Sequence, residues 1–263
     1  MNLLFKISSY QLRDVIRSKW IFFYTILLMI ISYSLISLTK EPAKILITML
    51  NINLIIVPLI SLIFGTIFLY NNKNNIIFLL SQPIKRNVLF LGLYIGLILP
   101  IILGFLLGVG IPILFYVKIF SNYAETIFLL LTTGIVLTII FGGVAFYISI
   151  SNEDRMKGLG ISIIVWLFLS IFYDGLLLII FQTFADYPLE KISAFLIMFN
   201  PIDLTRILVV INFDVSALMG YTGTVFKNFF GGNLGVLISA LMLMFWSILP
   251  LYLGLRKFKA KDF

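Results

Sequence analysis

Asp174 is the single charge in an otherwise uncharged stretch from Gly158 to Ala185. A carboxylate so placed can bind a cation on a pathway, pair with a basic residue such as Lys191 or Arg206, or stay protonated. A structural Asp–Arg or Asp–hydroxyl pair is the expected outcome. A second polar group lies downstream, in Asn200-Pro201-Ile202-Asp203-Leu204-Thr205-Arg206. Beyond these the chain is chemically sparse. It has no Cys and no His, which excludes disulfides, imidazole-ligated metals, Cys nucleophiles and Ser-His-Asp triads. Eight Met could offer thioethers to a soft metal ion. Met29, Met49, Met242 and Met244, however, sit inside apolar runs where Met serves as packing. Met242 and Met244, two apart, would not share a helical face. No catalytic and no metal-ligating set is predicted.

The elements that position these residues are dictated by hydrophobicity. Of 263 residues, 61% are hydrophobic and 11% charged, against about 45–50% and about 25% in soluble domains. This is the composition of an integral membrane protein. A bilayer core of about 30 Å takes roughly 20 apolar residues per helix. Windows of that size, charge-free except for Asp174 in the fifth, predict spans at about 20–39, 45–70, 88–117, 126–150, 158–184 and 234–255 of one domain, 1–263. Long Leu/Ile/Phe runs do not alternate as barrel strands do. The fold class is therefore all-α, with six transmembrane helices. The first apolar stretch, from Trp20, is too long for a signal-peptide core and is expected to be a retained anchor.

The net charge of +8 reads as a positive-inside bias rather than as nucleic-acid binding. Six spans place 13 Lys and Arg on the side of the termini and 6 on the other, so both termini are expected in the cytoplasm. Ahead of span one, Lys6, Arg13 and Arg17 fall on one arc of a helix over about 3–18, while Leu4, Leu12, Val15 and Ile16 point elsewhere. That pattern suits an elbow helix in the interface, facing lipid headgroups.

Between spans two and three, Ile76-Ile77-Phe78-Leu79-Leu80 is too short to span, and Pro83 stops a helix after Gln82. A short apolar helix at the cytoplasmic rim fits a partner's groove, or merely caps the bundle. On the outer side, the loop 186–232 is the longest. There Asn200 as N-cap, Pro201 at N1 and Asp203 at N3 predict a helix start. Leu204, Ile207, Leu208 and Ile211 make that helix amphipathic. Pro188 opens a second candidate helix, and Gly220, Gly223, Gly231 and Gly232 mark a looser return. The two outer helices form either a lid or a docking shelf. In span three, Gly104 and Gly108 form a G-x-x-x-G with Gly92, Gly96 and Gly110 nearby, a candidate for close helix contact within or between protomers. There is no G-x-x-x-x-G-K-[ST], so no nucleotide site is predicted in this chain.

Leu79-Leu80-Ser81-Gln82-Pro83-Ile84-Lys85-Arg86, followed by Gly92 and Gly96, resembles the loop between helices two and three of type-2 ABC transporter permeases. Leu12-Arg13-Asp14, with Arg17 and Trp20, resembles the start of that family. Tyr173-Asp174-Gly175-Leu176 within Trp166 to Leu178, and the segment from Asn200 to Arg206, are similar to the branch working beside nitrous oxide reductase. Where the family usually carries acids ahead of the loop helix, this chain has Asn71, Asn72, Asn74 and Asn75.

The resemblance implies a multi-pass subunit of the bacterial inner membrane, paired with a second copy of itself. A separate cytoplasmic ATPase would hold ATP and magnesium, and a periplasmic copper-handling protein would be served. It implies an ATPase-coupling set of Ile76, Phe78, Leu79, Leu80, Gln82, Lys85, Arg86 and Arg155. It also implies a periplasmic docking set of Asn200, Pro201, Asp203 and Arg206. The expected role is copper-centre maturation of nitrous oxide reductase. A conventional exporter of a lipid or drug shares the same fold, and an intramembrane enzyme is a remote alternative because His is missing.

Overall fold

The computed structural model describes residues 3–39, 41–116, 121–183, 195–210 and 233–261. Their order is α1 (Leu3–Arg17), α2 (Lys19–Leu38), α3 (Pro42–Asn71), α4 (Lys73–Leu80) and α5 (Arg86–Phe105). A π-helical turn (Leu106–Gly110) leads into α6 (Ile111–Phe115). α7 (Ala124–Ser151) and α8 (Arg155–Leu167) follow. A second π turn (Phe168–Phe172) then joins α8 to α9 (Tyr173–Thr183), before α10 (Pro201–Val210) and α11 (Asn233–Ala260). No strand occurs among the described residues. Six helical stretches are long and apolar enough to cross a membrane: Lys19–Leu38, Pro42–Asn71, Arg86–Phe115, Ala124–Ser151, Arg155–Ile180 and Gly235–Ala260. The chain is an all-α, multi-pass membrane protein.

Burial divides the spans. In the most apolar window of α3, of α5–α6 and of α7, 56%, 56% and 50% of residues are buried, against 22%, 11% and 17% for α2, α8–α9 and α11. The first three form the centre and the others surround them. Shape complementarity holds the centre, since lipid removes the ordinary hydrophobic drive between helices. Phe146 of α7 is the hub near one end. Phe90 and Tyr94 of α5 meet it edge-on at 5.7 and 5.3 Å, Phe68 of α3 stacks at 6.4 Å, and Phe258 of α11 lies 5.6 Å from Phe90.

Four glycines of the third span pack against α1 and α2. A Cβ on Gly96 would stand 2.5 Å from Gln11 Cβ of α1, and one on Gly108 would stand 2.7 Å from Leu28 Cβ of α2. Gly92 and Gly104 lie one turn away from each and receive Ile7 and Thr25. α1 and α2 thus lie in successive glycine grooves of one span. The face of α1 buried against the bundle is Ile7, Ser8, Gln11 and Val15; of the residues expected to face lipid, Val15 turns inward and Ile16 is exposed. A glycine groove takes slim side chains, and Ser8 satisfies its hydroxyl on the Phe5 carbonyl at 3.2 Å. The expected helix opening at Pro188 and the return beyond residue 210 lie outside the described residues.

Candidate functional site

Two polar constructions stand at opposite ends of the bundle. The first is the rim that carries α4. α3 ends at Asn71, Asn72 donates through Nδ2 to the Phe68 carbonyl at 3.0 Å, and α4 begins at the next residue. Ser81 closes α4 by donating to the Phe78 carbonyl at 2.7 Å, just ahead of Pro83. The helix therefore starts three residues before the predicted apolar run. Its inner face is Ile76, 2% exposed. Its outer face includes Phe78, 64% exposed, with Ile77, Gln82 and Lys85 also exposed and Leu79 and Leu80 half-buried.

Within the predicted coupling set, this separates two jobs. Ile76 cannot touch a partner, because it seats α4 on the bundle. Arg86 is likewise engaged at home: its Nη1 donates to the carbonyls of Lys259, in the last helix, and of Lys261 just beyond it, the latter at 2.8 Å. Arginine suits this position because orphan carbonyls and the helix dipole present negative charge at a helix C-terminus.

The second loop on this rim is joined to the first. Tyr70 donates its hydroxyl to the Asn152 carbonyl at 2.9 Å. One turn deeper, the Thr66 and Ser162 hydroxyls pair at 2.8 Å. Asp154 caps α8 by accepting from Met156 N–H at 2.8 Å. Arg155 is exposed, and Met156 beside it is 75% exposed. Lys261 donates to the Ile150 carbonyl at 2.9 Å, and burial pushes its ammonium below the ordinary value. Met156, Tyr70 and Asn152 were not singled out by sequence. Only tertiary packing brings them onto the rim.

At the far end, the predicted helix start is built as its residues dictate. Asn200 Oδ1 accepts from Ile202 N–H at 3.0 Å and Pro201 takes the first helical position. Asn200 Nδ2 also donates to Asp203 Oδ2 at 2.8 Å and to the Leu169 carbonyl of the π turn at 2.7 Å. Arg206 Nη1 donates to Asp174 Oδ2 at 2.7 Å and to Asp203 Oδ1 at 3.1 Å. Tyr173, beside Asp174, donates to the Leu196 carbonyl. Asp203 is held well above the usual carboxylate range, at about 8. Burial is the main cause, followed by the neighbouring Asp174 carboxyl, with Arg206 and Asn200 opposing.

The structure thus brings Asp174 and the Asn200–Arg206 segment together, although 32 residues separate Asp174 from Arg206. It does not present that segment as a surface. Asn200, Pro201 and Asp203 are buried, and the Asp174 and Arg206 side chains are each 30% exposed. The side chains predicted to dock a periplasmic partner are committed inward, because a carboxylate and a guanidinium among apolar spans must satisfy each other. Among the described residues, no group of three or more acidic side chains is placed to hold a metal ion.

Six apolar spans, an apolar helix presented at one rim and an internally satisfied polar cluster at the other end define a multi-pass membrane protein. The chain is similar to the probable ABC transporter permease protein NosY of Pseudomonas aeruginosa. It is 23% identical over 237 residues, which cover 84% of this chain and 86% of that protein. That match supports placing the chain among ABC transporter permeases. No family model matches it.

Proposed function

We propose that this chain is the membrane subunit of an ABC-type complex of the bacterial inner membrane, working as a homodimer with both termini in the cytoplasm. Separate cytoplasmic ATPase subunits hold ATP and magnesium and grip α4. The observation that carries this reading is the division of α4 into a buried Ile76 and an exposed Phe78. An anchored helix with an outward apolar residue is what a partner's groove requires. Motion imposed on Phe78 passes to the spans through Ile76, and Arg86 ties the following helix to α11.

The partner on the far side is a periplasmic copper-handling protein in maturation of the nitrous oxide reductase copper centre. Similarity to NosY and the segments around Asp174 and Asn200 support this finer reading. Copper, where it passes, is cargo of that partner, since this chain brings neither thiolate nor imidazole.

A conventional exporter of an apolar substrate is favoured by a different observation. A crevice of about 290 Å³ lies between α7, α10 and α11, lined by Val136, Leu208, Leu243, Met244 and Ile248. Co-purification from native membranes distinguishes the two. Recovery of an ATPase with a copper-binding periplasmic protein supports the maturation role, and recovery of an ATPase alone points to the exporter. A chain recovered without any ATPase overturns both.

A further inference from the structure

We propose that Asp203 holds a proton beneath Arg206, and that release of this proton unlatches α10 from the fifth span. The count of charges leads there. One guanidinium nitrogen serves both carboxyls, at 2.7 and 3.1 Å. The Asp203 side chain is only 6% exposed. Two carboxylates and one guanidinium would leave a net negative charge in a largely apolar setting, and an unpaired buried charge is removed by protonation instead. The more deeply buried carboxyl of a pair at one guanidinium is the one that keeps its proton, and here that is Asp203.

Among the described residues, no other span redresses the balance. α3, α7 and α11 also pack against α10, and their sequences hold no titratable residue over 45–69, 126–146 or 234–251. From the fifth span, Asp174 and the Tyr173 phenol face the cluster; from α10 itself, Asp203 and Arg206 do. The raised proton affinity of Asp203 agrees with this count.

The same atoms do the latching. Asn200 uses both hydrogens of its amide, one on Asp203 and the other on Leu169. Leu169 lies in the π turn Phe168–Phe172, and π turns within α-helices frequently mark functional sites. Arg206 makes the other bond to the span, at Asp174. With the proton present, one neutral acid and one ion pair satisfy every group. With it gone, two anions share one guanidinium, a net negative charge is left beside apolar spans, and the Asp203 carboxylate needs water that α10 excludes while docked.

The test uses the full chain in lipid nanodiscs, titrated by infrared spectroscopy. A protonated-carboxyl band is expected at about pH 6 and should disappear as the pH passes the raised value of Asp203. Asp203→Asn and Asp174→Asn should each remove it, the latter because one carboxylate then faces one guanidinium. Asp14→Asn should keep it. In parallel, a cysteine at the buried Ile197, normalised to one at the exposed Phe199, should label roughly tenfold faster about one pH unit above the midpoint than about one unit below it. Asp203→Asn should flatten that dependence. A band missing at every pH, a band that survives both Asn variants, or labelling indifferent to pH would each overturn the proposal.

Discussion

Arg86, the first residue of α5, donates to the backbone carbonyl of Lys261 at 2.8 Å, across 175 positions of sequence. The residue that ends the loop helix segment also caps the last span. Arg86→Ala leaves the carbonyls of Lys259 and Lys261 without this donor, where hydrogen bonds to a charged group contribute about 1.5–3 kcal/mol. The expected result is fraying from Phe258 onward, read as faster tryptic cleavage after Lys257 and Lys259. Arg86→Lys should restore only part of the protection, since a point charge replaces a planar fork.

Substitutions on α4 should separate by face. Phe78→Asp alters an exposed side chain and should leave the purified chain folded, because surface changes stay within about 0.5 kcal/mol, while abolishing ATPase capture. Ile76→Asp buries a charge and should lower the thermal midpoint and the yield of folded protein. Equal ATPase capture by Phe78→Asp and the parent chain would show that α4 is only a cap.

Orientation can be read directly because the chain has no native cysteine. Asn74 and Asn122 are both exposed and lie at opposite ends of the bundle. In intact cells an impermeant thiol reagent should label Asn122→Cys and spare Asn74→Cys. The reverse pattern would invert the orientation drawn from Lys and Arg.

Close packing in the third span predicts an asymmetric alanine scan. Gly96→Ala places a methyl 2.5 Å from Gln11 Cβ, and overpacking of this kind costs about 1–3 kcal/mol. Gly110→Ala meets nothing within 4 Å and should be neutral or slightly stabilising. Thermal unfolding in detergent measures both, and matching midpoints for the two variants would contradict the groove.

Asp203 sets a pH dependence whose sign follows from linkage. Its folded-state proton affinity is raised to about 8, whereas the unfolded carboxyl titrates near ~3.9. Between those values the folded chain holds more protons than the unfolded one, so stability falls as pH rises. This contribution is fully present below the unfolded value and lost through the folded one. Unfolding midpoints should decline from about pH 5 to about pH 8, with a shallower decline in Asp203→Asn.

Hydrophobic periodicity and charge-free length carried much of the architecture. Six windows became six spans because a backbone in lipid must bond within its own helix, a local demand that composition displays. The cap at Asn200-Pro201 was legible for the same reason: its bonds run between neighbours. The placement of α1 was not. Whether Ile16 or Gln11 faces inward depends on Gly92 and Gly96, some 80 residues away, and on how near two backbones can approach. The rim followed the same rule, since Ile76 and Phe78 are both apolar in sequence and only their packing separates seat from surface. Asp174 stood out as a charge needing a partner, and Lys191 and Arg206 were equal candidates by sequence. The tertiary structure chose Arg206, because α10 docks on the π turn of the fifth span and brings a second carboxyl to the same guanidinium.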